Sequence, residues 1–434
     1  MARTHMIGIG GVGMSALAQA LLDAGETVTG ADRLLDSRRF TPVLSTLAAQ
    51  GVALFPQDAP AVDAETSRVV VSSAVEDDNP GLVLARKFSV PVTHRATALA
   101  GLLSSKKLLA VAGTCGKSTV TAMAGHILAG AGFDPLVVNG AAVPGWDCGG
   151  TRVGSVRKGS GEWAVAEVDE SDKSLMAFSP AAAVITNAAA DHFGLDETRE
   201  LFDAFRAKTS GPIVDSRAET LYTQPSTEGW SGSFSMAGRR WTVPAPGLHN
   251  IANAASAVSA ALAIGADPEA AQAALATFPG VERRLQRIGV RGGAAVIDDY
   301  AHNPDKLAAM WKTLADAFPA GIAVAWRPHG YSPLRKTLDA LAETFLREVR
   351  RQDVLILMDV YDAGGTADRS ISADDLARRI AGCAGRVLRA RDAAEAHDML
   401  AAAGDAGAAA LVTAGARDPA LPETAKRLCD RSNS

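Results

Sequence analysis

The segment GTCGKST, at residues 113–119, follows the apolar run LLAVA and precedes a stretch with helical periodicity. Backbone N–H groups of glycine turns and of a helix N-terminus can surround phosphate oxygens. Lys117 would add a point charge for the β- and γ-phosphates, and the Ser118 hydroxyl suits Mg²⁺. The usual phosphate loop has its first glycine where Val111 stands here. The spacing therefore predicts a shortened nucleotide-triphosphate loop, made of Gly113, Thr114, Cys115, Gly116, Lys117, Ser118 and Thr119.

Acidic side chains and a histidine end two other predicted strands. The segment EVDESD places four carboxylates at residues 167–172, and such a group repels itself unless a cation is near. Asp191 and His192 follow the next apolar run. Ligands collect at the carboxyl ends of parallel strands, so these groups fit Mg²⁺ coordination. A solvated acidic turn is the alternative for the first group, and His192 is an unusual ligand because Mg²⁺ prefers oxygen.

Near the N-terminus, GIGGVG at residues 8–13 fits the G-x-G-x-x-G pattern between a predicted strand and a predicted helix. Asp32 ends the next predicted strand, where an acid that binds ribose would lie. The turn suits a pyrophosphate, either of a dinucleotide such as NAD or of a UDP-sugar, and a purely structural turn is the third alternative. Further polar candidates stand at a helix start or after predicted strands, namely His249, Asn253, Arg284, Asp299, His302, His329 and Arg335.

Strand and helix patterns alternate along the chain, which predicts an α/β fold with parallel sheets covered by helices. A polar break at residues 104–107 and a restart near residue 280 suggest three domains. Glycine- and proline-rich sequence at residues 231–250 predicts β-hairpins. The last third contains four apolar runs, GAAVIDDY, GIAVAWRP, DVLILMDV and GAAALVTAG, that predict four strands. The expected domain limits are 1–105, 106–281 and 282–434.

The composition excludes several classes of protein. The 434 residues carry a formal net charge of −5, whereas general nucleic-acid or anionic-membrane binders are basic. Four cysteines without C-x-x-C spacing predict neither a zinc site nor a disulfide framework. No apolar run is long enough for a membrane span, and the early glycine turn leaves no room for a signal peptide. We therefore expect a cytoplasmic protein that acts on small molecules, without nucleic-acid or membrane partners. The sequence leaves open whether it is a monomer or a homodimer.

Ten segments together resemble the Mur ligases, which make the peptide stem of the bacterial cell wall, and they occur in the family's order. The resemblance implies a Rossmann-like N-terminal domain for a UDP substrate, a central P-loop-type ATPase domain and a Rossmann-like C-terminal domain for an amino acid. It favours a UDP diphosphate over NAD at the first glycine motif. The segments are GIGGVGMSALA, VVVSSAVEDDNP, AGTCGKSTVTAM, EVDESD, VITNAAADHFG, GLHNIANAASAV, GVERRLQ, DDYAHNP, PHGYS and DVYDAGG.

The resemblance also implies the reaction and its cofactors, ATP and Mg²⁺. The substrate carboxylate would attack the γ-phosphate, and an amino group would then attack the acyl phosphate and expel phosphate. Within the family, the chain is most similar to the branch that joins UDP-N-acetylmuramate to L-alanine and to the muropeptide-recycling branch. We therefore expect an ADP-forming ligase that makes an amide between UDP-N-acetylmuramate, or a close analogue, and L-alanine or another small amino acid.

Residue roles follow where a position matches a family motif. Lys117 matches the lysine on the γ-phosphate, and Ser118 replaces the family's usual threonine on Mg²⁺. Glu167 and His192 match the other metal ligands, so Lys117, Glu167 and His192 are the expected catalytic residues. Beyond the loop, the expected contacts are His249, Asn253, Arg284 and Asp299 for ATP; Gly10, Gly11, Val12, Gly13, Asp32, Ser72 and Ser73 for the UDP substrate; and His302, His329 and Arg335 for the amino acid.

Departures from the family pattern leave alternatives open. Cys115 stands where the family usually has histidine, which suggests the further hypothesis of a redox-sensitive loop. Gly330 and Pro333 replace arginines of the alanine ligases, so a different acceptor or carboxylate, in recycling or secondary metabolism, is an alternative. Lys208 is the candidate for a carbamylated lysine that some branches carry. A non-catalytic protein that binds UDP-sugar and nucleotide is an alternative of another class, and nothing beyond Asp32 supports an NAD-dependent oxidoreductase.

Overall fold

The structure is a computed structural model, and it describes residues 3–37, 40–188, 193–218, 220–362 and 368–430. In these ranges the chain forms four sheets, of which three are mainly parallel and covered by helices. The predicted α/β class is therefore confirmed. None of the described helices combines the length and the apolar character needed to cross a bilayer.

Residues 3–103 form a parallel sheet of five strands with five helices. In chain order these are β1 (Arg3–Ile7), α1 (Val12–Asp23), β2 (Thr27–Asp32), α2 (Arg33–Asp36), α3 (Pro42–Ala49), β3 (Ala53–Pro56), β4 (Arg68–Val71), α4 (Pro80–Lys87), β5 (Val92–His94) and α5 (Arg95–Leu103). The strand order is β3-β2-β1-β4-β5. The order reverses between β1 and β4, which is where parallel sheets open a crevice for ligands. The glycine turn follows β1 at this point.

A second sheet occupies residues 107–215. Its elements are β6 (Lys107–Ala112), α6 (Lys117–Gly130), β7 (Leu136–Val138), β8 (Val156–Arg157), β9 (Trp163–Glu167), a short 3₁₀ helix (Ser174–Ala177), β10 (Ala182–Ile185), α7 (Leu195–Ala207) and β11 (Ile213–Asp215). The order is β11-β10-β6-β9-β7-β8, with only β8 antiparallel to its neighbour among the pairings described. Residues 108–112 of β6 are buried because the strand has neighbours on both sides and helices on both faces. The phosphate loop thus leaves the middle of the sheet.

The predicted hairpin region is an antiparallel sheet followed by two helices. Its elements are β12 (Thr223–Glu228), β13 (Ser231–Met236), β14 (Arg239–Val243), α8 (Leu248–Ala263) and α9 (Pro268–Ala276). The strands β13 and β14 pair through a turn at Ala237 and Gly238, both with positive φ, and this confirms the hairpin prediction. Pro268 occupies the first turn of α9, where a missing N–H costs no hydrogen bond, and Asp267 caps that helix.

The last sheet has six strands and five helices. They are β15 (Gln286–Arg291), β16 (Ala294–Asp299), α10 (Pro304–Ala317), β17 (Ile322–Trp326), α11 (Tyr331–Glu348), β18 (Val354–Met358), α12 (Ala373–Arg379), β19 (Arg386–Ala390), α13 (Ala393–Asp405), β20 (Ala410–Ala414) and α14 (Ala420–Cys429). The order is β15-β16-β20-β17-β18-β19. The four predicted strands are confirmed as β16, β17, β18 and β20. Apolar clusters cover both faces of this sheet.

The described residues form two compact units. Residues 1–226, 232–244 and 249–281 belong to the first, and residues 227–231, 245–248 and 282–434 to the second. Within the first unit, one apolar cluster contains Ala16 of α1 and Ala96 of α5 as well as side chains of the central sheet, so the first two sheets share a core. The three-domain limits given above stay a prediction.

Candidate active site

The phosphate loop depends on two glycines. Gly113 has φ +132°, and a Cβ there would lie 2.0 Å from the Thr186 hydroxyl oxygen. Gly116 has φ +85°, and a Cβ there would lie 2.5 Å from the Asn253 side-chain oxygen. L-residues rarely adopt these conformations, and the neighbouring side chains leave no space for a Cβ. Both positions therefore require glycine, and the loop can come close to its neighbours.

Two side chains at the carboxyl end of β10 fix the middle of the loop. The side-chain oxygen of Asn187 accepts hydrogen bonds from the Cys115 N–H at 2.9 Å and the Thr114 hydroxyl at 2.6 Å. The Cys115 carbonyl accepts from the Thr186 hydroxyl at 2.6 Å and from the Asn187 amide at 2.9 Å. The backbone of the loop is thus oriented by a neighbouring strand, and sequence reasoning missed both anchors.

Lys117 begins α6, and its ammonium group already has two partners. Nζ donates to the Glu170 carboxylate at 2.6 Å and to the Gly113 carbonyl at 2.7 Å. Burial alone would lower the pKa of Lys117, but the carboxylates of Glu170 and Glu167 outweigh burial and raise it. The ammonium is therefore charged at neutral pH. The Glu170 carboxylate takes the position beside it that a phosphate oxygen could occupy.

Glu167 ends β9, the strand beside β6. Its Oε2 accepts a hydrogen bond from the Gly140 N–H at 2.7 Å, and a Cβ on Gly140 would lie 2.3 Å from the same oxygen. The predicted partner His192, with Asp191, lies outside the described residues. No group of three or more His, Cys, Asp and Glu side chains in the described part of the chain could hold a metal. Ser118 and Glu167 nevertheless offer oxygen donors beside the loop, and oxygen donors fit Mg²⁺.

The first glycine turn is braced by Asp32. Its Oδ2 accepts from the Gly10 N–H at 2.8 Å, and its Oδ1 accepts from the Leu34 N–H at 3.0 Å. Asp32 is 7% exposed, and backbone N–H groups donate to both of its carboxylate oxygens. Asp32 therefore positions the turn and caps α2, which is a different role from the ribose contact of a dinucleotide enzyme. Val12 is exposed at the tip of the turn.

Ser73, predicted for the UDP substrate, belongs to a small polar cluster. Its hydroxyl donates to Asp172 Oδ2 at 2.6 Å and lies 3.1 Å from His94 Nε2. His94 Nδ1 accepts from the Ala96 N–H at 3.3 Å, which leaves the proton of a neutral ring on Nε2. This ring therefore donates toward Ser73 and Asp172, and it is not placed to remove the serine proton. Sequence reasoning missed His94 because β5 is short and half-exposed.

Other predicted nucleotide contacts lie on α8. Asn253 approaches Gly116 as described above, and its amide donates to the Asn250 side chain at 3.3 Å. His249 is exposed in the first turn of the same helix. The structure thus brings Asn253 to the phosphate loop, and its contact with the nucleotide stays a prediction. Lys208, the candidate for carbamylation, donates to the Met176 carbonyl.

In the second unit, predicted residues gather around Tyr300. The Arg284 guanidinium lies 5.1 Å from the centre of the Tyr300 ring. His302 donates from Nδ1 to the Tyr300 carbonyl at 2.8 Å, and its ring packs edge-on against His329 at 4.8 Å between centroids. Burial, with smaller effects of nearby cations, lowers the pKa of His302 to about 3 and that of His329 to about 4. Both rings are therefore neutral at physiological pH.

Two further predicted residues of this unit are engaged elsewhere. Asp299 accepts from the Leu285 N–H at 2.6 Å and the Ala301 N–H at 2.7 Å, and burial raises its pKa to about 6. Arg335 pairs with Asp368 at 2.7 Å, on the exposed side of α11. Of the three residues predicted for the amino acid, His302 and His329 therefore lie together, whereas Arg335 pairs with Asp368.

Two family models match the chain: the Mur ligase family catalytic domain at residues 3–107, and the Mur ligase glutamate ligase domain at residues 283–417. The UDP-N-acetylmuramate–L-alanine ligase of Arthrobacter sp. (strain FB24) is 35% identical over 440 residues, which cover 93% of this chain and 91% of that protein. The enzyme of the same name from Geobacter sp. (strain M21) is 34% identical over 414 residues, 87% of each chain.

Solved structures agree with these relatives. The UDP-N-acetylmuramate–alanine ligase of Thermotoga maritima superposes with a TM-score of 0.82 at 25% identity, covering 99% of this chain and 98% of that one. A murein peptide ligase of Psychrobacter arcticus shares the fold with a TM-score of 0.66 at 21% identity, covering 99% and 98%. Because identity near one third extends over most of both sequences, this chain belongs to the Mur ligase family.

Proposed function

We propose that this protein is an ATP-dependent ligase that joins the carboxylate of UDP-N-acetylmuramate to the amino group of L-alanine and forms ADP and phosphate. The relatives that carry this name match the chain over most of its length. The observation that carries the proposal is the geometry at Lys117, whose charged ammonium lies at the start of α6, beside the carboxylate that ends β9. The charged ammonium fits phosphoryl transfer, in which the charge on the transferred group must be neutralised.

In the first step, the attack of the substrate carboxylate on the γ-phosphate of ATP, the chain's residues bind and orient the triphosphate. Lys117 exchanges Glu170 for oxygens of the γ-phosphate, and the backbone N–H groups of the loop orient the triphosphate. Ser118, Glu167 and His192 would hold Mg²⁺, which neutralises charge on the transferred phosphoryl group. Phosphoryl transfer needs little more than alignment and neutralisation, so the rigid anchoring of the loop by Asn187 contributes directly.

The remaining substrates are assigned to the other two sheets. The turn at Gly10, Gly11 and Gly13 would bind the UDP diphosphate with backbone N–H groups at the start of α1. The neutral rings of His302 and His329 would meet the acceptor amino acid in the C-terminal domain. With the domain limits 1–105, 106–281 and 282–434, each substrate would thus have a domain of its own, in the cytoplasm.

The test combines two readouts. Purified protein is incubated with MgATP, UDP-N-acetylmuramate and single amino acids, and phosphate release is measured together with the product mass. The proposal expects release that depends on L-alanine and a product with the mass of the amide. If only another amino acid supported phosphate release, that amino acid would replace L-alanine as the acceptor. If neither the single amino acids nor short peptides supported phosphate release, the ligase reaction would be contradicted.

A different acceptor on the same machinery is the second candidate. Arg335 is paired with Asp368 and also donates to the Ser370 hydroxyl at 2.9 Å. Arg335, the predicted amino-acid contact on α11, therefore already has partners within the protein. The same incubation with short peptides in place of single amino acids distinguishes this candidate from the first.

A further inference from the structure

One arginine contacts both the first glycine turn and the acidic turn of residues 168–172. Arg95, the first residue of α5, donates from Nη2 to Asp169 Oδ2 at 3.0 Å. A Cβ on Gly13 would lie 2.7 Å from Nη1 of the same guanidinium. One group therefore links a turn in the first sheet with a turn in the second, and both sheets belong to the same compact unit.

The charge at the first turn favours an anion beside Arg95. Helix α1 begins after Gly11, which offers no side-chain cap, and its first turn contains no acidic residue. A helix N-terminus carries partial positive charge, so a guanidinium beside it is unfavourable unless an anion is near. Asp169 provides one negative charge there. A diphosphate at the turn would provide more, and the guanidinium has enough N–H groups to bind both at once.

The acidic turn connects Arg95 to the phosphate loop. Asp169 pairs with Arg95, while the next residue, Glu170, pairs with Lys117 at 2.6 Å. The turn is tightly bonded, because the Asp169 carbonyl accepts from the Leu175 N–H at 3.0 Å and the Asp169 carboxylate accepts from the Ser171 N–H at 3.1 Å. A shift of Asp169 therefore changes the position of Glu170.

We propose that Arg95 and Asp169 couple the two ligand sites, so that a sugar nucleotide at the first turn and ATP at the phosphate loop each raise the affinity for the other. The proposal rests on the function proposed above. The Arg95 and Asp169 side chains are partly exposed, at 27% and 34%, so both lose freedom when a diphosphate fixes the guanidinium. A guanidinium held by the diphosphate draws Asp169 with it and shifts Glu170 away from Lys117, so that ATP displaces Glu170 at a lower cost. Both residues are positioning residues in this scheme.

Calorimetric titration tests the coupling. The affinity for a non-hydrolysable ATP analogue with Mg²⁺ is measured with and without saturating UDP-N-acetylmuramate, and we expect a gain of about fivefold or more in the wild type. The Asp169→Asn variant keeps an acceptor for Ser171 and leaves Arg95 available to the diphosphate. It should bind UDP-N-acetylmuramate within about twofold of wild type, yet lose most of the gain. Arg95→Lys, which keeps the charge without the forked donors, should also lose it.

The matched control is Asp23→Asn. Asp23 pairs with Arg152, so this pair also joins α1 to the second sheet, through the segment between β7 and β8. The pair contacts neither the first glycine turn nor the acidic turn. The control should keep the full gain. The inference is overturned if Asp169→Asn couples like wild type, if Asp23→Asn loses as much, or if both ligands bind the wild type without any gain. Failure of the wild type to bind UDP-N-acetylmuramate would instead overturn the proposed function, and the coupling with it.

Discussion

Two glycine turns in the first unit follow the middle strand of a parallel sheet, and they are built differently. The turn after β1 is braced by the Asp32 carboxylate, and the segment GIGGVG contains no cation. The loop after β6 is held by Asn187 from the next strand and contains its own cation, Lys117, paired with Glu170. The first arrangement suits a diphosphate that is only held. The second suits a phosphate that reacts, because charge must be neutralised as the bond breaks.

The largest expected effect is the loss of turnover when the cation of the phosphate loop, Lys117, is removed. Lys117→Ala should lower ligase turnover by about 10³-fold or more, because an aligned cation on the transferred phosphoryl group contributes that much. The matched control is Lys107→Ala, at the start of β6, the strand that leads into the phosphate loop, where the ammonium pairs with Glu162 on the surface. Phosphate release checks both variants. Turnover of Lys117→Ala within tenfold of wild type would contradict the assignment.

The second prediction concerns the backbone of the two turns. Gly113→Ala places a Cβ 2.0 Å from Thr186, in addition to the strain of φ +132°. Gly8→Ala meets only the strain of φ +73°, since nothing lies within 4 Å. We expect the first to cost about 3 kcal/mol or more in the free energy of unfolding, and the second about 1 kcal/mol. Urea titration measures both, and equal costs would show that the Thr186 contact is unimportant.

The third prediction removes, in separate variants, the side chain that anchors each turn. Asn187→Ala removes three hydrogen bonds from the phosphate loop, and should raise KM for ATP about 10-fold while KM for the sugar nucleotide changes little. Asp32→Ala should do the reverse. Steady-state kinetics with each substrate varied in turn gives the comparison. If each variant raised both constants equally, the two turns would not be separate sites.

The last prediction concerns a pH dependence of the first sheet. Burial, with a smaller effect of Arg3, lowers the pKa of His5 on β1 from 6.5 to about 4. The unfolded chain takes up a proton below pH 6.5, whereas the folded chain does not do so until near pH 4. Stability from the neutral ring is therefore complete above about pH 6.5 and is lost as the pH falls. It should drop by about 1.4 kcal/mol between pH 8 and pH 5.5.

Urea titration of wild type and His5→Gln at the two pH values isolates this effect. The variant should lose less stability on acidification, because its side chain does not titrate. The strand β6 has no titratable side chain from Leu108 to Ala112, so no equivalent loss is expected from the strand that leads into the second turn. Equal pH dependence in both proteins would assign the acid sensitivity to other groups.

The sequence predicts the parts of this fold that follow from periodicity and spacing. The strands β16, β17, β18 and β20 were predicted because each is a continuous apolar run between helices. The strands β15 and β19, at the two edges of the same sheet, were not, because their exposed positions carry polar residues. An edge strand has one neighbour only, so its hydrophobic pattern is weak.

The candidate site shows the same division. Lys117 and Ser118 could be placed from the local motif, since the loop is continuous in sequence. The pairing of Lys117 with Glu170 could not, because four carboxylates in EVDESD look equivalent until the strand order gives each a direction. Arg95 was missed for a related reason, as its contacts with Gly13 and Asp169 join segments about 74 or more residues apart in sequence.

The most direct test is a crystal structure with a non-hydrolysable ATP analogue, Mg²⁺ and UDP-N-acetylmuramate. We predict that Lys117 Nζ leaves Glu170 and lies about 3 Å from a γ-phosphate oxygen, with Glu167 on the metal side of the triphosphate. A nucleotide bound elsewhere, with the Lys117–Glu170 pair unchanged, would contradict it.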